Sequence, residues 1–262
     1  MKRSAIARII IWSLTTVILT GVLIAGIAAP SFLNVFSFSL GRSDDYTYGP
    51  ASLNASQIDE VEVEWVSGDI TITESENDKI SFDETSTRKL DTEDQLGYRI
   101  EGRKLIIVQT TRSYWFGSAP SKDLQLTLPS MLYALTLETV SADVTMTGDF
   151  TIHEVDMESV SARLDIDELS CNGISLESVS GRMDLTVGQT VPKQIDVSAV
   201  SADVTIYWPE DEGFTAEMEG VSGNTSSDFS TISQNGRMIY GSGACEIECE
   251  TVSGNLDIVK KK

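Results

Sequence analysis

The chain has 262 residues, 41% of them hydrophobic and 23% charged, which suits one large domain or two small ones. Its formal net charge of −21, from 40 acidic and 19 basic side chains, disfavours nucleic acid and anionic headgroups as partners and favours cations or basic surfaces. An odd count of three cysteines excludes a disulfide scaffold, and few aromatics beside many Thr, Ser, Val and Ile point to β structure.

The first element in chain order is an uncharged run over residues 9–29. As a helix it would span about 30 Å, the thickness of a bilayer's hydrocarbon core. Lys2, Arg3 and Arg8 precede it, while Asp44 and Asp45 are among the first charges that follow. The positive-inside rule then predicts a single-pass cell-membrane protein, N-terminus cytoplasmic and the remainder outside. The competing expectation is a cleaved signal peptide with Gly26-Ile27-Ala28 as its small-x-small site, although the apolar core is longer than signals carry. Residues 1–30 are thus expected as stub and transmembrane helix, 31–50 as a juxtamembrane linker, and 51–262 as the extracytoplasmic domain.

That domain is governed by a repeat. The tripeptide Val-Ser-(Gly/Ala) begins at Val66, Val140, Val160, Val179, Val200, Val221 and Val252. With each Val as zero, position −5 holds Val61, Leu135, Val155, Ile174, Ile195, Ala216 and Ile247, and position −3 holds Val63, Leu137, Met157, Leu176, Val197, Met218 and Cys249. Polar residues fill −4 and −2. Beyond the Val the alternation resumes with Ile70, Val144, Leu164, Met183, Val204, Thr225 and Leu256 at +4, and comparable residues at +6, where the Val221 copy turns polar. A period of two on both sides of a short motif predicts strand, corner, strand. A unit of about 20 residues cannot bury its own apolar face, so the fold class is all-β: a parallel β-solenoid in which each coil stacks on the next.

At the corner, Gly alternates with Ala, which suggests that small size rather than positive φ is required. The motif serine is expected to bond a local backbone group in the bend. Residues 51–130 hold one clear copy and further strands at 79–82, 98–101, 105–110 and 124–128, read as the first coils. Cys245 and Cys249 flank Ile247 on its own face and read as small core side chains.

The segments LETVSADVTM (137–146), MESVSARLDI (157–166) and LESVSGRMDL (176–185) resemble the bacterial β-strand-repeat family named as adhesins, of unknown function, and the related head-GIN-domain adhesin-like proteins. The resemblance covers about residues 55–259. It implies a cell-envelope solenoid, commonly with an N-terminal membrane segment, and brings no catalytic residues with it.

Four features are candidate sites. Glu138, Glu158 and Glu177 should stack on one outer face, where unit charges about 4.8 Å apart repel by roughly 0.9 kcal/mol in bulk water. Solvent, a divalent cation or a basic partner would relieve that, though calcium needs a cage of oxygens that a flat ladder lacks. The +3 column (Asp69, Asp143, Arg163, Arg182, Asp203, Asn224, Asn255) suggests ion pairs Asp143–Arg163 and Arg182–Asp203 that specify register. Tyr114-Trp115-Phe116 reads as a lid over the solenoid or a docking patch for a protein or glycan. Residues 224–243 form a long polar excursion, a binding face or a loose loop. His153, the only histidine, has inward parity and reads as structural. The function expected is a noncatalytic envelope interaction module without cofactor. The alternative is a polysaccharide lyase or glycosidase that uses surface carboxylates, which would need acids with individual environments in a cleft.

Overall fold

The computed structural model describes residues 45–110 and 121–262, which belong to one compact unit. Residues 9–29 lie outside them, and among the described residues no helix is long and apolar enough to cross a membrane. The first strands are β1 (Thr47–Tyr48), β2 (Ala51–Asn54), β3 (Glu60–Glu74) and β4 (Lys79–Ser86). Then come β5 (Gly97–Glu101), β6 (Lys104–Val108), β7 (Lys122–Leu128) and β8 (Met131–Thr147). The long β9 (Phe150–Val187) makes two successive coils, and β10 (Gln194–Trp208) makes the next. They are followed by β11 (Phe214–Ser222), β12 (Thr225–Ser227), β13 (Ile232–Gln234), β14 (Arg237–Tyr240), β15 (Cys245–Ser253) and β16 (Leu256–Lys260).

The expected parallel solenoid is present. Strands β3, β8, β9 and β10 pair in parallel without a register slip, so Val61 meets Leu135, Leu135 meets Val155, and Ile174 meets Ile195. Hydrogen bonding lapses at the Val of the corner and resumes on the Ser, as between Ser67 and Ser141. The chain therefore bends there without ending the strand, and two faces share one core. Every side chain of the −5 and −3 columns is buried except Met218, which packs partly open on an outer coil.

The corners differ from expectation. Gly68, Gly181, Gly223 and Gly254 all adopt positive φ, at 106°, 145°, 151° and 151°, whereas Ala142, Ala162 and Ala202 do not. A Cβ on Gly181 would lie 2.0 Å from the carbonyl oxygen of Ala162, and one on Gly254 2.0 Å from that of Ala202. There are thus two corner conformations, and in one of them small size is not enough. The motif serines of two copies also reach across coils and not locally: Ser141 Oγ donates to Val66 O and Ser180 Oγ to Val160 O. The local bend is instead clamped from inside at position −1, where Thr139 Oγ1 accepts from Ala142 N and the hydroxyls of Ser178 and Thr251 donate to Ser180 O and Ser253 O.

The order of coils is not the order of the chain at either end. Strands β6 and β7 together form an outermost coil parallel to β3, joined through residues 109–121, and β8 lies on the other side of β3. Strands β5 and β4 then run antiparallel on β6 and β7, with β1 and β2 beyond them. So the strands expected near 80 and 98 are end caps and not coils. Thr47 and Tyr48, within the expected linker, belong to this sheet. At the opposite end β15 and β16 are seated between β10 and the pair β11–β12, and a β13–β14 hairpin closes β11.

Replacing Gly181 with Ala should cost about 2–4 kcal/mol, from left-handed backbone strain and the clash with Ala162 O. Replacing Ala202 with Gly should cost about 1 kcal/mol through backbone entropy. Urea unfolding midpoints of the two variants check the contrast.

Candidate functional site

The outer face of the sheet half before the corner carries the carboxylates. Pairing puts Glu64 beside Glu138 and Glu138 beside Glu158, with Glu177 next before Ser198, and Glu250 and Glu219 continue the column beyond. The structure thus brings Glu138, Glu158 and Glu177 together as the repeat predicts. Asp156, Asp196 and Glu248 stand in the adjacent column.

Among the described residues, the cations that form salt bridges on this face do so towards its two ends. Lys104 bonds Glu62 at one. At the other, Arg237 binds Glu217 (2.6 Å) and lies 3.2 Å from Glu246. Among the described residues no lysine or arginine forms a salt bridge with Glu138, Glu158 or Glu177. Burial and then Glu64 and Glu62 push the Glu138 carboxyl above its ordinary range, against a smaller opposing pull from Lys104. Burial, then Glu177, Glu138 and Asp156, push Glu158 the same way, and burial with Glu219 raises Glu250. No group of three or more His, Cys, Asp or Glu among the described residues is disposed to hold a metal ion.

The +3 column corrects the ion pairs read from sequence. Asp143 Oδ1 accepts from the backbone amide of Arg163 at 2.8 Å, and Asp203 Oδ1 accepts from the amide of Asn255 at 3.0 Å. Asp123 does the same for Asp69 N, and Asn255 for Asn224 N. A side-chain oxygen one coil away thus supplies an acceptor at the corner, where the backbone ladder lapses. Arg182 turns within its own strand to Asp184 (2.7 Å), which Arg163 also approaches at 3.6 Å.

Tyr114, Trp115 and Phe116 lie in residues 111–120, outside the described residues. Either side of that stretch, Gln109 and Lys122 are buried. Gln109 Oε1 accepts from the amides of Val66 and Ser67, taking the place of a further coil at that corner. Lys122 Nζ, 3.3 Å from Glu84, also donates to Thr110 O. The polar excursion after Asn224 is ordered into β12, β13 and β14, and its Phe229 is buried against Phe214 and Tyr240. His153 is exposed and not inward, because residues 153 and 154 both face out between buried Ile152 and Val155. It stacks on Tyr133 with ring centroids 5.0 Å apart, and the Asn172 amide donates to its Nε2. Cys171, Cys245 and Cys249 are free and buried, and burial raises each thiol to about 12.

The model of the Toastrack DUF4097 family matches the chain twice, over residues 58–186 and 121–259. A search of curated proteins finds no match. Among solved structures, a proposed cell adhesion protein from Clostridium sporogenes is 13% identical, with 82% of this chain and 100% of that chain covered at a TM-score of 0.53. A proposed adhesin from Bacteroides fragilis is also 13% identical, with 83% and 98% covered at a TM-score of 0.46. The first likeness supports the fold.

Glu138 and Glu158 hold protons more readily folded than unfolded. Their protonated forms favour the fold below the ordinary glutamate range, and that benefit is lost as pH rises through their raised values. Glu158→Gln should therefore stabilise the protein near neutrality, by about 1 kcal/mol after allowance for solvent and salt screening. It should change little near the ordinary glutamate pKa of about 4.3. Urea unfolding across pH measures this, and a wild-type chain more stable than the variant at neutral pH would contradict it.

Proposed function

The chain belongs to the Toastrack DUF4097 family, and from that premise we propose that it is a noncatalytic, adhesin-like module of the cell envelope. Residues 9–29 hold it in the membrane as a single-pass anchor, and the solenoid stands outside. The observation that carries the binding role is the register of Glu138, Glu158 and Glu177, which form no salt bridge with a lysine or arginine among the described residues. A partner that lays lysines or arginines along the column relieves a repulsion built into the stack, so association and electrostatic relief coincide. The partner that fits is a basic segment of an envelope protein. Tyr114, Trp115 and Phe116 belong to this proposal as a second contact.

A specific observation keeps the enzyme reading as the second one. Asp69, Asp143, Asp165 and Arg163 line a shallow depression on the face after the corner. A lyase would need such acids to differ from one another. Here they are members of regular columns, and Asp143 already spends an oxygen on the Arg163 amide.

Crosslinking in intact cells should enrich a basic envelope protein with the wild-type chain and lose it with the Glu138→Gln, Glu158→Gln, Glu177→Gln variant. Equal recovery by both would remove the acidic column from binding. Incubation with acidic polysaccharides, followed by ultraviolet absorbance of unsaturated products, should show no turnover; turnover abolished by Asp165→Asn would establish the lyase instead.

A further inference from the structure

The repeats follow the chain order Val200, Val221, Val252, yet in space the Val252 coil sits between the other two. The registers on its two sides coincide. Ile247 lies beside Ile195 on one side and Ala216 on the other, and Cys249 lies likewise between Val197 and Met218. In the strand after the corner, Leu256 lies between Val204 and Thr225. The Val221 coil therefore fits directly on the Val200 coil with no slip of register.

Packing explains why the observed order prevails. Leu256 and Ile258 complete the apolar core against Val204 and Ile206, where the Val221 coil would bring Thr225 and Ser227. During synthesis, however, the Val221 coil is made first, and the only seat then open to it is on the Val200 coil. The link to the later coil runs through Gly241 and Gly243, both at positive φ around exposed Ser242. The far end of the later coil is fastened by Lys261, whose Nζ donates to Glu168 (2.6 Å) and Val187 O (2.9 Å).

We propose that the Val252 coil is a late insert and that the chain has a second stack order, in which the Val221 coil closes on the Val200 coil and residues 245–260 are left out as an extended strand. The insert enters by displacing the Val221 coil outward, and Lys261 secures it.

Disulfide trapping in the full chain tests this. With Cys171, Cys245 and Cys249 changed to Ala, cysteines are introduced by Val197→Cys and Met218→Cys. In the observed order these positions are two coils, about 10 Å, apart, beyond disulfide reach. Val197→Cys with Cys249 retained is the adjacent-coil control. When oxidant is present during refolding from urea, the 197–218 bond should form, and the trapped molecules should be cut at Glu246, Glu248 and Glu250 by a glutamyl endopeptidase. Oxidant added to the native protein should not form it. Adding Lys261→Ala should raise the trapped fraction by about twofold or more, as loss of a partly exposed ion pair allows. A control that closes readily while the 197–218 bond never forms, at any refolding time, would overturn the proposal.

Discussion

Parallel stacking in register is the constraint on which everything else in this solenoid depends. Each position has the same position of the next coil as its neighbour, about 4.8 Å away. An apolar choice is thereby multiplied into a ladder, as from Val61 through Leu135 and Val155. A charged choice is multiplied too, and the glutamate column cannot disperse its repulsion sideways as it would on a less regular surface. The close spacing also sets the corners. A backbone that approaches the next coil's carbonyl admits only Gly at residues 181 and 254, and the lapsed ladder there is repaired by Asp143, Asp203 and Asn255.

A stack of like units must be finished at its ends, and the two ends are finished by different means. At one, Gln109 offers its amide where another coil would offer backbone, and the antiparallel strands β5 and β4 cover the last parallel edges. At the other, the coil least suited to the interior is placed outermost. Its hydroxyl-bearing strand β12 takes the edge, and Phe229 and Tyr240 close the core beside Phe214. Antiparallel caps protect the edges in a way that charge alone does not.

The alternation of inward and outward residues was legible because it is a matter of parity, and parity survives from coil to coil. What broke parity was not legible. Tyr133 and His153 face outward where the strand carries one extra residue, and nothing in their identity announces it. Gly and Ala shared a column although they adopt different backbones, since a column of small residues does not report φ. The −1 position continues the inward parity with hydroxyls at Thr139, Ser159 and Ser178, and only the bend shows each of them occupied at the corner. Coil order could have been suspected: the polar Thr225 and Ser227 marked a copy unfit for the middle of a stack. The acidic column follows from the repeat, but the half-burial of Glu138 and Glu177 beside exposed Glu158 depends on side chains of the neighbouring coils, which the repeat does not show.

The three thiols carry a further consequence. A thiol raised to about 12 by its surroundings is almost wholly protonated near neutrality, and oxidants and alkylating reagents act on the thiolate. Cys171, Cys245 and Cys249 are therefore shielded while the coils stay closed, even in an oxidising compartment. Once coils part, each sulfur regains the reactivity of an ordinary cysteine. The pattern of labelling becomes a clock for separation, and because Cys245 and Cys249 lie in the inserted coil while Cys171 lies deeper in the stack, it times the end of the solenoid apart from its middle.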